Sequence, residues 1–214
     1  MKNIDAIIFD LGGVILNLDY DKTIESFNKY LPNLGKENFL GRRDQLTFFN
    51  EYEVGQITTE EFIARFNEHF EISLSFDEFK TSWDAMILDF PPTRIELLKK
   101  LRIQGKKIYL LSNINDLHEK AVLDRYMKIG EPSEFFSLFD KTYYSHHINL
   151  RKPDREIFEH VIGEQKLDPK RTIFIDDSIQ HVEGARIVGL NGIHLPKGNI
   201  VEEVFQEYFV TQRK

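Results

Sequence analysis

Four groups of polar residues in this sequence follow apolar runs, and together they carry side chains suited to chemistry on an anion. Asp10 follows IDAIIF, Ser112–Asn113 close KIYLLSN, and Asp176–Asp177 close RTIFIDD. Lys152, in LRKPD, comes after a weaker run, FDKTYYS. The groups supply three carboxylates, a hydroxyl, an ammonium and backbone N–H donors.

If these groups meet, the three carboxylates repel one another unless a cation lies between them. Oxygen ligands, with water completing the coordination shell, are what Mg²⁺ prefers. A carboxylate beside Mg²⁺, with ammonium, hydroxyl and amide donors around it, suits a phosphoryl group, because phosphoryl transfer depends mainly on positioning and charge neutralisation. Asp10 would then attack phosphorus and form an aspartyl-phosphate that water hydrolyses.

The apolar runs predict the sheet that brings these groups together. Residues 4–9, 107–112 and 171–176 are nearly continuous apolar stretches, typical of strands buried on both faces of a parallel sheet. Weaker strand patterns cover 139–145 and 192–195. Helical patterns alternate with the strands, so we predict a doubly wound, Rossmann-like α/β fold with a mostly parallel sheet. The C-terminal ends of such strands converge on one crevice, which places the polar groups side by side.

Two of the intervening helices have clear boundaries in the sequence. An apolar face at helical spacing follows Pro92 and stops at Gly105. A second follows Ser178, a predicted N-cap, and stops at Gly189.

Residues 17–91 differ from the rest of the chain because they show no clear strand and contain many aromatic residues. Helix starts are predicted at Thr59 and at Ser75, where SFDE is a capping-box pattern. We predict a helical cap with its own aromatic core at 17–91, inserted into an α/β core domain at 1–16 and 92–214. An insertion at this point overhangs the ligand-binding end of the sheet and is a candidate lid.

Composition restricts the partners. The net charge is −7 and the basic residues are scattered, so nucleic acid, which requires a basic face, is not an expected partner. We interpret the pair Arg42–Arg43 as solvated surface rather than as a substrate contact. No apolar run is long enough to cross a bilayer, no cysteine is present, and the first residues lack the features of a signal peptide. We expect a cytoplasmic protein that acts on a small phosphorylated metabolite, as a monomer or a dimer.

The four motifs together resemble the haloacid dehalogenase (HAD) superfamily. FDLGGV, LLSN, LRKPDREIF and FIDDSIQHVEGARIVGLNGIHL match its four motifs in order, and EYEVGQITTEEF resembles its small helical cap. The resemblance covers essentially the whole chain. It is strongest to the branch that includes α-glucose-1-phosphate phosphatases and the N-terminal phosphatase domain of soluble epoxide hydrolases.

The resemblance implies a metal site and a nucleophile. Asp10 would be the nucleophile and a ligand of Mg²⁺, and residue 12 would offer its backbone carbonyl to the metal. Asp177 would be a direct ligand, and Asp176 would contact metal-bound water or the loop.

The resemblance also implies how phosphate is held. Ser112 would hydrogen-bond the phosphate beside the amide of Asn113. Lys152 would offset the negative charge of the nucleophile and the phosphate.

The sequence departs from the family pattern at Gly12, where phosphatases usually carry a second Asp as general acid and base. Such help is typically worth a factor of about 10² to 10⁴. A glycine still supplies a carbonyl to the metal, and protonation matters least for a good leaving group. We therefore expect a preference for an anomeric sugar phosphate or an acyl phosphate over a simple alkyl phosphate.

Two other functions stay open at this point. A 2-haloacid dehalogenase would use Asp10 to displace halide without metal, although the paired acids Asp176–Asp177 are then unexplained. A catalytically weak binding or regulatory protein would have lost turnover through Gly12. The adjacent His146 and His147 are interpreted as surface or core residues, since neighbours in a strand face opposite sides and no third ligand is evident.

Overall fold

The computed structural model describes residues 4–31 and 46–211, with the side chains described as far as residue 206. Its centre is a five-stranded parallel sheet in the order β3-β2-β1-β4-β5. The strands are β1 (Ala6–Phe9), β2 (Lys107–Ser112), β3 (Lys141–Tyr144), β4 (Thr172–Asp176) and β5 (Asn191–His194). All five lie where the sequence predicts strands, and the predicted doubly wound α/β fold is confirmed.

Helices cover both faces of the sheet and fill the insertion. In chain order they are α1 (Tyr20–Phe27), α2 (Thr47–Glu53), α3 (Thr59–Phe70), α4 (Phe76–Trp83), α5 (Pro92–Ile103), α6 (Asp116–Tyr126), α7 (Pro132–Ser137), α8 (Ser145–Ile148), α9 (Arg155–Gln165), α10 (Ile179–Ile187) and α11 (Val201–Thr211). Short 3-10 turns lie at Asp84–Met86 and Pro169–Arg171. None of the helices within the described ranges is long and apolar enough to span a membrane.

The sheet is buried on both faces because alternate residues of each strand enter different cores. In β1, Ile7 and Phe9 join one apolar cluster, whereas Ala6 and Ile8 join the other. All four side chains are almost completely inaccessible to water. This explains why the strand reads as a continuous apolar run rather than as an alternating one.

The segment predicted as a cap contains an aromatic cluster, which Leu117 of α6 joins from outside it. Helices α1 to α4 share a cluster that includes Phe27, Phe62, Phe66, Phe79 and Trp83. These rings meet mostly edge to face or tilted, with centroids 5.0–5.7 Å apart. Capping boxes start α3 and α4, the latter at the predicted SFDE pattern.

The two connections between cap and core run beside each other. Leu18 and Ile87 form an antiparallel bridge, and Asn17 exchanges backbone hydrogen bonds with residues 88 and 89. Met86 and Ile87 pack into the core of the sheet. The boundaries of the cap at 16/17 and 91/92 therefore stay a prediction. The predicted surface pair Arg42–Arg43 lies outside the described residues.

Candidate active site

The strand order brings the predicted site residues to one edge of the sheet. Because β1 lies between β2 and β4, Asp10, Ser112 and Asp176 follow or end three adjacent strands. Asp10 and Ser112 line a cavity of about 400 Å³ between the sheet and the cap. Its polar lining comprises Asp10, Tyr20, Asn50, Glu53, Ser112, Asn113, His118, Arg151, Lys152, Asp177, Ser178, Gln180 and His181.

Lys152 is the electrostatic centre of this edge, and its side chain is fully buried. Its Nζ lies 2.6 Å from Asp10 Oδ1 and 2.7 Å from Asp176 Oδ2, and it also donates to the carbonyl of Leu111 at 2.9 Å. An ammonium has three N–H donors, and these three acceptors use them all. Lys152 is therefore held in a fixed position between two acids, whereas the side chain of a solvated surface lysine is free to move.

Both oxygens of Asp176 have hydrogen-bond partners in the protein. One oxygen accepts from the backbone N–H of Ser178 at 2.8 Å and the other from Lys152, while Nδ1 of His181 lies 3.0 and 3.1 Å from the two. Ser178 occupies the predicted N-cap of α10, but its side chain makes no capping hydrogen bond. Asp176 instead accepts the backbone N–H of Ser178 at the start of this helix, and this bond orients its carboxylate towards Lys152.

The acids of this cluster differ in their electrostatics. Burial raises the pKa of Asp10 to about 8 in the absence of a cation; Lys152 opposes this, while Asp176 and Asp177 add to it. Burial also pushes the pKa of Asp176 upwards, but Lys152 and His181 outweigh it and hold that pKa at about 2. Burial, followed by the charge of Asp176, raises the pKa of Asp177. At Asp10 and Asp177 the neighbouring positive charge does not offset the effect of burial on the pKa.

The donor set fits a divalent cation. Asp10, Asp176 and Asp177 each offer an oxygen, and these oxygens lie within 4.8 Å of one another. Both oxygens of Asp176 already accept hydrogen bonds from the protein, so Asp10 and Asp177 are the acids with more lone pairs free for a metal. Mg²⁺ binds through carboxylate oxygens and water, and its charge would neutralise these two acids.

Gly13 keeps the space that Asp177 occupies. Its φ is +71°, a left-handed value that favours glycine, and a Cβ there would lie 2.3 Å from Asp177 Oδ2. The second glycine of FDLGGV therefore lets the backbone approach the predicted metal ligand.

The comparisons with known proteins agree with this geometry. The family of haloacid dehalogenase-like hydrolases matches residues 4–189. The chain belongs to the haloacid dehalogenase-like hydrolases. The family and fold predictions are both confirmed.

Three relatives of this HAD chain illustrate the family's range. A D-ribitol-5-phosphate phosphatase from Bacteroides thetaiotaomicron is 28% identical over 187 residues, or 87% of this chain and 89% of the relative. A HAD enzyme from the same organism, solved with magnesium and inorganic phosphate, has a TM-score of 0.80 and 33% identity over 95% of this chain and 100% of that one. An (S)-2-haloacid dehalogenase from a Pseudomonas species is 25% identical over 216 residues, or 96% of this chain and 89% of the relative.

Asn113 has a role in this HAD site that the sequence did not reveal. Its side chain donates to the carbonyl of Lys152 at 2.8 Å and accepts from the N–H of Lys152 at 2.9 Å. The two residues are 39 positions apart, so no local pattern shows this pair of bonds. The amide side chain thus fixes the backbone that carries the buried lysine.

Gly184 on α10 also positions that loop. A Cβ there would lie 2.4 Å from the carbonyl oxygen of Pro153 and 3.0 Å from the ring of Phe158. The helix therefore needs glycine to pack against the residue after Lys152.

Polar residues also enter the cavity from the cap, and none was predicted. Arg151 donates to Asn50 Oδ1 at 2.8 Å and pairs with Glu53 at 3.0 Å. Asn50 and Glu53 lie on α2, so this contact joins the cap to the loop that holds Lys152.

Two premises of the interpretation of His146 and His147 were wrong, although nothing contradicts their assignment as surface or core residues. They lie in the one-turn helix α8 rather than in a strand, because β3 ends at Tyr144. Both rings also reach the same third residue, Glu119.

Proposed function

We propose that this chain is a Mg²⁺-dependent phosphatase that acts on a small phosphorylated metabolite through an aspartyl-phosphate on Asp10. The observation that carries the proposal is the buried Lys152, shared by Asp10 and Asp176, with Asp177 beside them at the cavity. The phosphatase among its relatives, and the neighbour solved with magnesium and phosphate, support the same reaction.

Asp10 and Asp177, with the backbone carbonyl of Gly12, would hold the Mg²⁺ ion, and Asp176 would contact its water or the loop. When bound, the ion neutralises charge on the carboxylates and the phosphate. Lys152 adds a second, permanent positive charge, because its two acid partners raise its pKa further although burial opposes this.

In the first step a carboxylate oxygen of Asp10 attacks phosphorus. The Asp10 O–P bond forms, the ester P–O bond breaks, and the leaving oxygen departs as an anion that takes a proton from solvent. Ser112 and the backbone N–H of Asn113 hold the phosphate oxygens during this step. Water then attacks the same phosphorus, which breaks the Asp10 O–P bond and releases inorganic phosphate.

Gly12 sets the expected leaving group, since it offers no proton to the departing oxygen. We propose a sugar phosphate with an anomeric phosphate, or an acyl phosphate, as the preferred substrate. Asn50, Glu53 and Arg151 supply acceptors and donors in the lining of the cavity, which suits the hydroxyl groups of a small sugar.

The substrate proposal is tested by kcat/KM for glucose 1-phosphate, acetyl phosphate, glucose 6-phosphate and D-ribitol 5-phosphate with saturating Mg²⁺. We expect the first two to exceed the others. A clear preference for glucose 6-phosphate or ribitol 5-phosphate would reject the leaving-group argument but leave the phosphatase intact.

The reaction itself is tested by chelation and by Asp10→Asn. EDTA and the substitution should each abolish phosphate release, and wild-type protein should bind BeF₃⁻ with Mg²⁺ as an aspartyl-phosphate mimic. An Asp10→Asn protein with wild-type activity would refute the mechanism. Chloride release from 2-chloropropionate in EDTA would instead identify a dehalogenase, while BeF₃⁻ binding without turnover would identify a regulatory protein.

A further inference from the structure

A second group of metal-binding side chains lies on α6 and α8, outside the Asp10 cluster. Nε2 of His146 lies 2.9 Å from Glu119 Oε2, and Nε2 of His147 lies 3.0 Å from the same oxygen. One ligand atom from each of the three residues lies within 4.8 Å of the others. Two adjacent imidazoles thus point their outer nitrogens at a single carboxylate oxygen.

We propose that Glu119, His146 and His147 form a site for a borderline divalent cation, with Zn²⁺ as the best fit. Two imidazole nitrogens and one carboxylate oxygen are typical zinc ligands, and water would take the fourth position. Bonds of about 2.0–2.1 Å in a tetrahedron place neighbouring ligand atoms roughly 3.3 Å apart. The observed 2.9 and 3.0 Å are close to that value, so small rotations of the rings would admit the ion.

The burial of the three side chains suits an ion that enters from solvent. His146 is 8% exposed and Glu119 17%, whereas His147 is 55% exposed. Among the described residues, Nδ1 of His146 has no hydrogen-bond partner, so the ring is held through its outer nitrogen, Nε2, which contacts Glu119. Two ligands are therefore preorganised, and the third forms the open side of the site.

Such an ion would link two elements that carry catalytic loops. Helix α6 begins shortly after Ser112 and Asn113, and α8 leads into the loop that holds Lys152. The hydroxyl of Ser145, the first residue of α8, already donates to the carbonyl of Glu53 at 2.6 Å and accepts from the backbone N–H of Ile114 at 2.9 Å. A bound cation would reinforce that junction between sheet, loop and cap.

The alternative is a purely structural group in which both rings hydrogen-bond to Glu119. Isothermal titration of untagged, full-length protein with Zn²⁺, in saturating Mg²⁺, separates the two. Wild type should bind one equivalent more than His147→Ala, which removes an exposed side chain and leaves the fold intact. Glu119→Gln should also lose that equivalent, or weaken it by more than about tenfold.

His160→Ala is the matched control, because it removes an exposed histidine that lies on α9, away from the proposed site, 3.5 Å from Glu164 of the same helix. It should keep the wild-type stoichiometry. Any Zn²⁺ that displaces Mg²⁺ at the Asp10 cluster does so equally in wild type and in each variant, so it does not affect the difference between them. Equal stoichiometry and affinity for wild type and His147→Ala would overturn the proposal.

Cobalt gives an independent readout that does not depend on activity. Co²⁺ in a four-coordinate site with nitrogen ligands absorbs visible light far more strongly than Co²⁺ in an octahedral oxygen site. We expect that absorption in wild type and His160→Ala, and its loss in His147→Ala. A spectrum unchanged by His147→Ala would count against the site.

Discussion

At residue 12 the question is whether a side chain would fit and what it would add. A Cβ on Gly12 would lie 2.4 Å from Cδ1 of Leu18, which is the far end of a flexible side chain. The backbone of Gly12 is outside the left-handed region, so another residue can adopt it. The position is therefore open to substitution once Leu18 moves.

We predict that Gly12→Asp increases kcat on alkyl phosphates by about 10² to 10⁴, because an acid would then protonate the leaving oxygen. The gain should be much smaller for acetyl phosphate. Steady-state kinetics on glucose 6-phosphate and acetyl phosphate measure both. Gly12→Asn is the control of equal size without a proton to give. Similar rates for the two variants would contradict the argument, and adding Leu18→Ala tests whether crowding limits them.

Asn113 is the other residue whose role can be isolated. Asn113→Ala removes two hydrogen bonds to the backbone of Lys152. We expect a loss of about 1–3 kcal/mol in the free energy of unfolding and a clear fall in kcat, because the buried lysine loses its fixed position. Chemical denaturation and phosphate-release kinetics test the two effects.

The cap offers a matched control for that experiment. Asn67 makes the same pair of bonds with the backbone of Leu74, both at 3.0 Å, away from the cavity. Asn67→Ala should lose similar stability and keep kcat. If both variants lower kcat equally, general destabilisation rather than the position of Lys152 is the cause.

At the scale of elements, the strands were predictable because burial on both faces leaves a continuous apolar run in the sequence. Ile7 and Ile8 are both buried, on opposite faces of the sheet, and the pattern records both. The helix α8 was not predictable, since KTYY continues into SHHI without a break in pattern. Only the end of the pairing of β3 with β2 at Tyr144 shows where the strand stops.

For the site residues, too, only features that leave a local pattern in the sequence could be predicted. Asp10, Lys152 and Asp176 were predicted as site residues because each follows a recognisable element, and the structure brings their side chains together. Asn113 and Gly184 were missed in their positioning roles, because a hydrogen bond or a steric contact between distant elements leaves no local pattern.

Gly184 gives a prediction about how α10 is packed. Gly184→Ala places a methyl group against the carbonyl of Pro153, so we expect a lower melting temperature and a lower kcat as the Lys152 loop is displaced. Gly163→Ala in α9 is the control, since no described atom beyond its chain neighbours and the backbone of its own helix lies within 4 Å of the new Cβ. That variant should gain roughly 0.5–1 kcal/mol from helix propensity and keep its activity. Equal activity of the two variants would show that the contact does not position Lys152.

At the scale of the whole molecule, the cavity couples ion binding to protonation. Burial raises the pKa of Asp10 to about 8 without a cation, so below that pH the carboxyl is largely protonated and a metal must displace the proton. The raised pKa also means that cation-free protein loses stability as pH rises towards 8, because the ionised form is disfavoured in the folded state. Mg²⁺ opposes this loss by neutralising the ionised form.

We therefore predict that Mg²⁺ affinity rises between about pH 6 and pH 8, with a slope approaching tenfold per pH unit, and levels off above. The increase in melting temperature caused by Mg²⁺ should widen over the same range. Calorimetric titration in buffers of different ionisation enthalpy measures the proton released by each ion bound. Asp10→Asn, which has no proton to release at this position, should lose most of the slope. An affinity independent of pH in wild type would mean that Asp10 is already ionised without metal, and that Lys152 rather than the cation neutralises it.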